Sequence, residues 1–147
     1  MPGLIRFGLI GALLAGLGGL AYVAWPVAPK APKGSGAVEV PSGQEIRFVE
    51  MIQDTAGVGG LTYRFRFVAP AIARDGGSVS QEEAIEDMQA ICENFALPRL
   101  ASTGPVPAQI IISFADRPVV FGEANPDATQ YFEAFSPADD SCIWEGY

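Results

Sequence analysis

Between residues 61 and 67 the apolar Leu61, Tyr63, Phe65 and Phe67 alternate with the polar Thr62, Arg64 and Arg66. A period of two sends successive side chains to opposite faces of an extended chain, so this segment is expected to be a half-buried strand with one aromatic and one polar face. An earlier strand is expected over 46–52, with the intervening glycines Gly57, Gly59 and Gly60 marking a turn. Pro70 and the pair Gly76-Gly77 end the aromatic strand. The period then changes. Ala84, Ile85, Met88, Ile91, Cys92 and Phe95 recur at helical spacing, and Ser80 with Glu83 three residues later forms a capping box in front of them. Pro98 stops this helix, and Glu82, Glu86, Asp87 and Glu93 are assigned to its exposed side. Residues 109–114, rich in isoleucine, read as a central strand, and 115–118 as a turn into a further strand over 119–121. Asn125-Pro126 has the makings of a short helix start. Strands are nevertheless favoured over 130–135 and 142–145, joined by a turn over 136–140. The aggregate is an α+β domain, an antiparallel sheet with one principal helix packed on one face.

Upstream the pattern is different. Residues 7–25 hold nineteen positions without a charge, which as a helix would span about 28 Å, close to the hydrocarbon core of a bilayer. Arg6 precedes the run, and Tyr22 with Trp25 would sit at the outer interface. Residues 1–25 therefore read as an uncleaved anchor, or alternatively as a signal cleaved near Gly19-Leu20-Ala21. Small residues recur every four positions (Gly8, Ala12 and Gly16; Gly11, Ala15 and Gly19), a pattern that lets helices pair closely but is also common in any Ala/Gly-rich anchor. Pro26, Pro29, Pro32 and Pro41, with Gly34-Ser35-Gly36, mark a linker over 26–43 of at most about 50 Å when extended. The globular domain occupies 44–147. This organisation places the chain in the inner membrane with its domain in the periplasm, or in the soluble periplasm after cleavage.

Composition narrows the chemistry. Of nine Lys+Arg, three precede residue 37, whereas all seventeen Asp+Glu follow it. Such an acidic domain repels phosphate backbones, so nucleic-acid binding is not expected. There is no histidine and no lysine after Lys33, which removes imidazole-based triads and leaves lysine chemistry only to the linker. No Gly-rich phosphate cradle or calcium loop occurs. No catalytic residue, metal or cofactor is assigned. Cys92 and Cys142, an even count in an exported chain, read as a structural disulfide joining helix to terminal strand, with buried thiols as the alternative.

Arg64 and Arg66 share a strand face, with Arg74 and Arg117 as possible neighbours. These four either form a fork for an anionic ligand or pair with surface acids such as Glu45 or Glu50. Asp116 and Glu123 are the only carboxylate pair singled out for hydrolysis. The aromatics Tyr131, Phe132, Phe135, Trp144 and Tyr147 either line a partner-binding patch or finish the core. The leading expectation is a non-enzymatic, membrane-tethered periplasmic domain binding a protein partner, as an accessory part of an envelope complex. A small-molecule-binding domain comes second and a carboxylate-dependent hydrolase third.

The stretches Arg64-Phe65-Arg66-Phe67-Val68-Ala69-Pro70 and Ile111-Ile112-Ser113-Phe114-Ala115-Asp116-Arg117-Pro118 are distinctive. With Phe121-Gly122-Glu123 and Cys142-Ile143-Trp144-Glu145, they resemble an uncharacterised family of small exported alphaproteobacterial proteins, a domain of unknown function. The resemblance covers residues 40–147 and implies no activity, cofactor or catalytic residue. It extends to sequences labelled acetolactate synthase, but thiamine-diphosphate chemistry belongs to a far larger chain and nothing in this inventory serves it.

Overall fold

The 40 residues between Val68 and Gln109 explain the architecture. They connect two strands that lie side by side and run in the same direction, so the chain has to cross one face of the sheet between them. The computed structural model describes residues 37–57, 59–100 and 105–146. Its elements are β1 (Ala37–Val38), β2 (Ile46–Gly57), β3 (Gly60–Val68), α1 (Gln81–Ile91), β4 (Gln109–Ala115), β5 (Gln130–Ala138) and β6 (Ser141–Trp144). The strands form one sheet in chain order. Every neighbouring pair is antiparallel except β3 and β4. The sheet is thus mixed, which corrects the antiparallel expectation, and the described chain is mostly β with a single α-helix. The anchor, its small-residue repeats and the linker up to residue 36 lie outside the described residues. Among the described residues no helix is long and apolar enough to cross a membrane.

The alternation seen in the sequence sets the two faces of the sheet. Tyr63, Phe65 and Phe67 of β3, Ile110, Ile112 and Phe114 of β4, and Phe135 of β5 are buried on the inner face, where Ala84, Met88, Ile91 and Cys92 cover them. Phe48 and Phe95 complete an aromatic cluster, with ring centroids 5.1 Å apart. Ser80 caps α1 as expected: its hydroxyl accepts from the Glu83 N–H at 3.3 Å, and the Glu83 carboxylate accepts from the Ser80 N–H at 2.9 Å. After Ile91 the helix widens into a π turn (Cys92–Ala96) and tightens into a 3₁₀ turn (Leu97–Arg99) holding Pro98.

Turns follow local chemistry. β2 and β3 meet at the expected glycines. Gly60 has φ +98, and a Cβ there would lie 2.7 Å from Ala108 Cβ, so no other residue fits without displacement. Between β5 and β6 only Asp139 and Asp140 turn the chain, Asp139 at φ 43, a region that Asp tolerates. Ser136, Pro137 and Ala138, expected in that turn, extend β5 instead. Pro137 is tolerated because its nitrogen faces the side where β4 has not yet begun. The strand expected over 119–121 is absent: this stretch is a loop with Val119 and Phe121 lying against the outer face. Asn125 makes a single turn, its side chain accepting from the Asp127 N–H, rather than a helix.

Asp87 is the principal correction on the helix. Assigned to the exposed side, it is fully buried. Its carboxylate accepts from the Ser42 N–H (2.9 Å), the Ser42 hydroxyl (2.6 Å) and the Gln44 amide (2.6 Å). Residues 37–43, read from composition as the end of the linker, are therefore fastened to α1, and β1 pairs with β2. At the end of α1, Cys92 forms a disulfide with Cys142 of β6, the Cα atoms 6.1 Å apart.

Two outcomes follow. Replacing Asp87 with Ala leaves three donors, two on the exposed Ser42 and one on the half-buried Gln44, without their acceptor and is expected to cost about 2 kcal/mol in urea unfolding, with faster amide exchange confined first to residues 42–44. Removing the disulfide as Cys92→Ser with Cys142→Ser, a loop closed across 50 residues, is expected to lower stability by about 4 kcal/mol in the same measurement.

Candidate functional site

Cross-strand partners share a face, so the register defines the surface opposite the helix. One row runs Ile52, Arg64, Ile111, Ala134; the next runs Glu50, Arg66, Ser113, Phe132. The second row depends on a bulge in β2. The register slips by one between Phe48 and Glu50, so Phe48 stays inward against Phe67 while Glu50 comes to face Arg66. Arg66 is almost fully buried and bonds the Glu50 carboxylate, while its other nitrogen donates to the Val119 carbonyl at 2.8 Å. That second bond draws the 118–123 loop over β3 and brings down Phe121. The guanidinium carbons of Arg64 and Arg66 lie 5.6 and 5.4 Å from the centre of its ring.

The four arginines singled out in the sequence thus divide. Arg64 and Arg66 sit together around Phe121. Arg74 and Arg117 serve Asp116: Arg117 forks onto both Asp116 oxygens at 2.9 and 3.0 Å, and Arg74 contributes at longer range, its own N–H donating to Thr129 Oγ1 at 2.9 Å. Arg66 and Arg117 nevertheless line one cleft of ≈ 50 Å³, together with Ser113, Ala115 and Val119. The fork from Arg117 holds the Asp116 carboxyl below its ordinary range, against the opposing effect of burial. Both oxygens of Asp116 are engaged, and Glu123 is exposed on the loop, so this geometry lends the pair no acid–base arrangement.

Arg66 and Arg64 differ in how well they are satisfied. Arg66 has a carboxylate and a carbonyl. Arg64 is partly buried, and among the described residues its buried Nε has no hydrogen-bond partner. The aromatics also divide. Phe135 is core, Tyr131 is half-buried against it, and Phe132 is 66% exposed on the outer face. Trp144 faces inward beyond the helix, half exposed, with its indole N–H on Glu133 at 2.7 Å. Tyr147 lies outside the described residues. Ile143 adds exposed apolar surface beside Ser136, whose hydroxyl bonds Glu145. Reading the sequence missed Phe121, because its neighbours Val119 and Val120 imitate a strand; only the loop's capture by Arg66 gives Phe121 its place. A second groove, ≈ 350 Å³ and open, runs between β1 and the end of the helix past Phe95 and Arg99. There Arg99 stacks 3.5 Å above the Phe95 ring and donates to its carbonyl.

The Asp116 pair has a pH signature. A carboxyl whose folded pKa is depressed contributes stability that is complete above its unfolded pKa, about 4, and is lost as pH falls through the folded value. Asp116→Asn is therefore expected to lower the melting temperature at pH 7, with the gap to the parent protein closing as the pH is taken below 4.

Neither the curated proteins nor the solved structures compared with this chain include a match to it. One family model does match, over residues 21–147, a span that includes every strand and helix described above and both halves of the arginine face. The strings around Arg64, Ile111 and Cys142 are thus those of a recognised family, and the chain belongs to the Family of unknown function (DUF6497).

Proposed function

We propose that this is a membrane-tethered envelope protein whose domain binds a protein partner through the open face of its sheet. The observation that carries this reading is the combination, on the face the helix leaves uncovered, of exposed Phe121, Phe132 and Ile143 with the Arg64–Arg66 pair. Exposed aromatics and arginine are the residues enriched where partners dock. Arg64, without an ion-pair partner among the described residues, also gives an otherwise acidic domain a local cationic spot, around which a partner's acids gather while the remaining surface repels them. An enclosed small-molecule site has less support here, since the cleft beside Arg66 holds ≈ 50 Å³, well under the volume of usual ligand pockets.

The tether rests on the uncharged run over 7–25 and the proline-rich stretch that follows. The Cys92–Cys142 disulfide supports an oxidising compartment, where such bonds persist. An accessory role in an envelope complex follows from a domain held near the membrane with one face open.

The test uses the full-length chain in native membranes with a photo-crosslinking amino acid in place of Phe132, and separately in place of Glu86 on the exposed side of α1. A single adduct of defined mass is expected from position 132 and none from position 86. Adducts that are absent, or the same from both positions, would remove the assignment to this face.

A further inference from the structure

We infer that Arg64 is a receptor for one carboxylate side chain of the partner, with Phe121 and Phe132 gripping the apolar residues on either side of it. This rests on the docking reading above and names the chemistry that the face selects. Three observations carry it. Of the two arginines around Phe121, Arg66 is neutralised by Glu50 and locked to the Val119 carbonyl. Among the described residues Arg64 has the Phe121 ring contact but no hydrogen bond or ion pair, and its buried Nε has no acceptor, a cost that folding alone does not recover. The terminal nitrogens of Arg64 are neither buried nor hydrogen-bonded among the described residues, and their fork geometry matches the two oxygens of an incoming carboxylate.

The surroundings fix the rest of the ligand. Ile111 and Ser113 on β4 separate β3, which Phe121 overlies, from β5, which carries Phe132. At the usual strand spacing the two outer strands are about 10 Å apart. That leaves a shallow trough floored by Ile111, Ser113 and the buried Ala134, with an aromatic ring at each side and Arg64 in its floor row. Such a trough suits an acidic residue flanked by aromatic or aliphatic neighbours. One uncompensated guanidinium in a domain of excess negative charge favours a monoanion over a phosphate dianion.

The experiment titrates the full chain, in detergent micelles, with the capped peptides acetyl-Phe-Glu-Phe-amide and acetyl-Phe-Gln-Phe-amide, and with inorganic phosphate. NMR follows the arginine Nε–Hε resonances and the peptide ring protons. The glutamate peptide is expected to shift the Arg64 resonance saturably and to bind at least tenfold more tightly than the glutamine peptide. Arg64→Gln should abolish the difference between the two peptides, Arg64→Lys should restore part of it, and Arg99→Gln should leave it unchanged. Equal binding of both peptides, an unmoved Arg64 resonance, or a phosphate response as strong as the peptide's would each overturn the inference. If the crosslink from position 132 survives in Arg64→Gln at full yield, the face still docks a partner but Arg64 is not its carboxylate receptor.

Discussion

The parallel pairing of β3 with β4 is the constraint from which the rest of this domain follows. Antiparallel neighbours can be joined by a two-residue turn, as β5 and β6 are through Asp139 and Asp140. Parallel neighbours cannot, and the chain must travel the length of the sheet across one face before it can re-enter. Here that crossing carries α1, whose apolar side closes over the phenylalanines of β3 and β4. A single crossing covers a single face. The opposite face keeps Arg64 and its exposed rings accessible to solvent, and the candidate site exists because the helix lies on the other side.

The crossing is held by two fastenings of unlike chemistry. In the body of α1, Asp87 sits fully buried and is met by three donors from Ser42 and Gln44, which draws the chain before β2 onto the helix. A buried carboxylate is tolerated only when its hydrogen-bonding capacity is met, so the 42–44 turn and the helix are specified together. Just beyond the helix end, the Cys92–Cys142 bond secures β6, a four-residue edge strand, to the helical layer. First and last strands are thus both referred to the same helix.

On the open face a one-residue slip in β2 decides which arginine is occupied. Without the bulge at Val49, Glu50 would point inward among the aromatics; with it, Glu50 neutralises Arg66. Arg66 then reaches Val119 and lays Phe121 between the two guanidinium groups, and Arg64 remains the member of the pair with unmet capacity. Structural and recognition roles are divided between two residues of identical type, two positions apart on one strand.

Much of this was legible along the chain. The alternation over 61–67, the Ser80–Glu83 cap, the glycine turn before β3 and the cysteine pair are fixed by interactions among near neighbours or by the residue inventory, and the structure has them. The rest depended on contacts that periodicity does not encode. Asp87 shares a helical stripe with Ala84, Met88 and Ile91, which was a signal that it faces inward, but only Ser42 and Gln44, more than forty positions away, make that burial tolerable. A helix between two strong strands is likewise the signature of a parallel crossover, although strand direction itself leaves no mark on the pattern. Val119–Val120–Phe121 looks like a strand until Arg66 takes the Val119 carbonyl. The sequence determined which segments are extended or helical and which side of each is apolar, because those properties arise within a few residues. Tertiary structure alone decided which strands pair, which way they run and which polar groups are left unsatisfied, because those depend on partners distant in the chain.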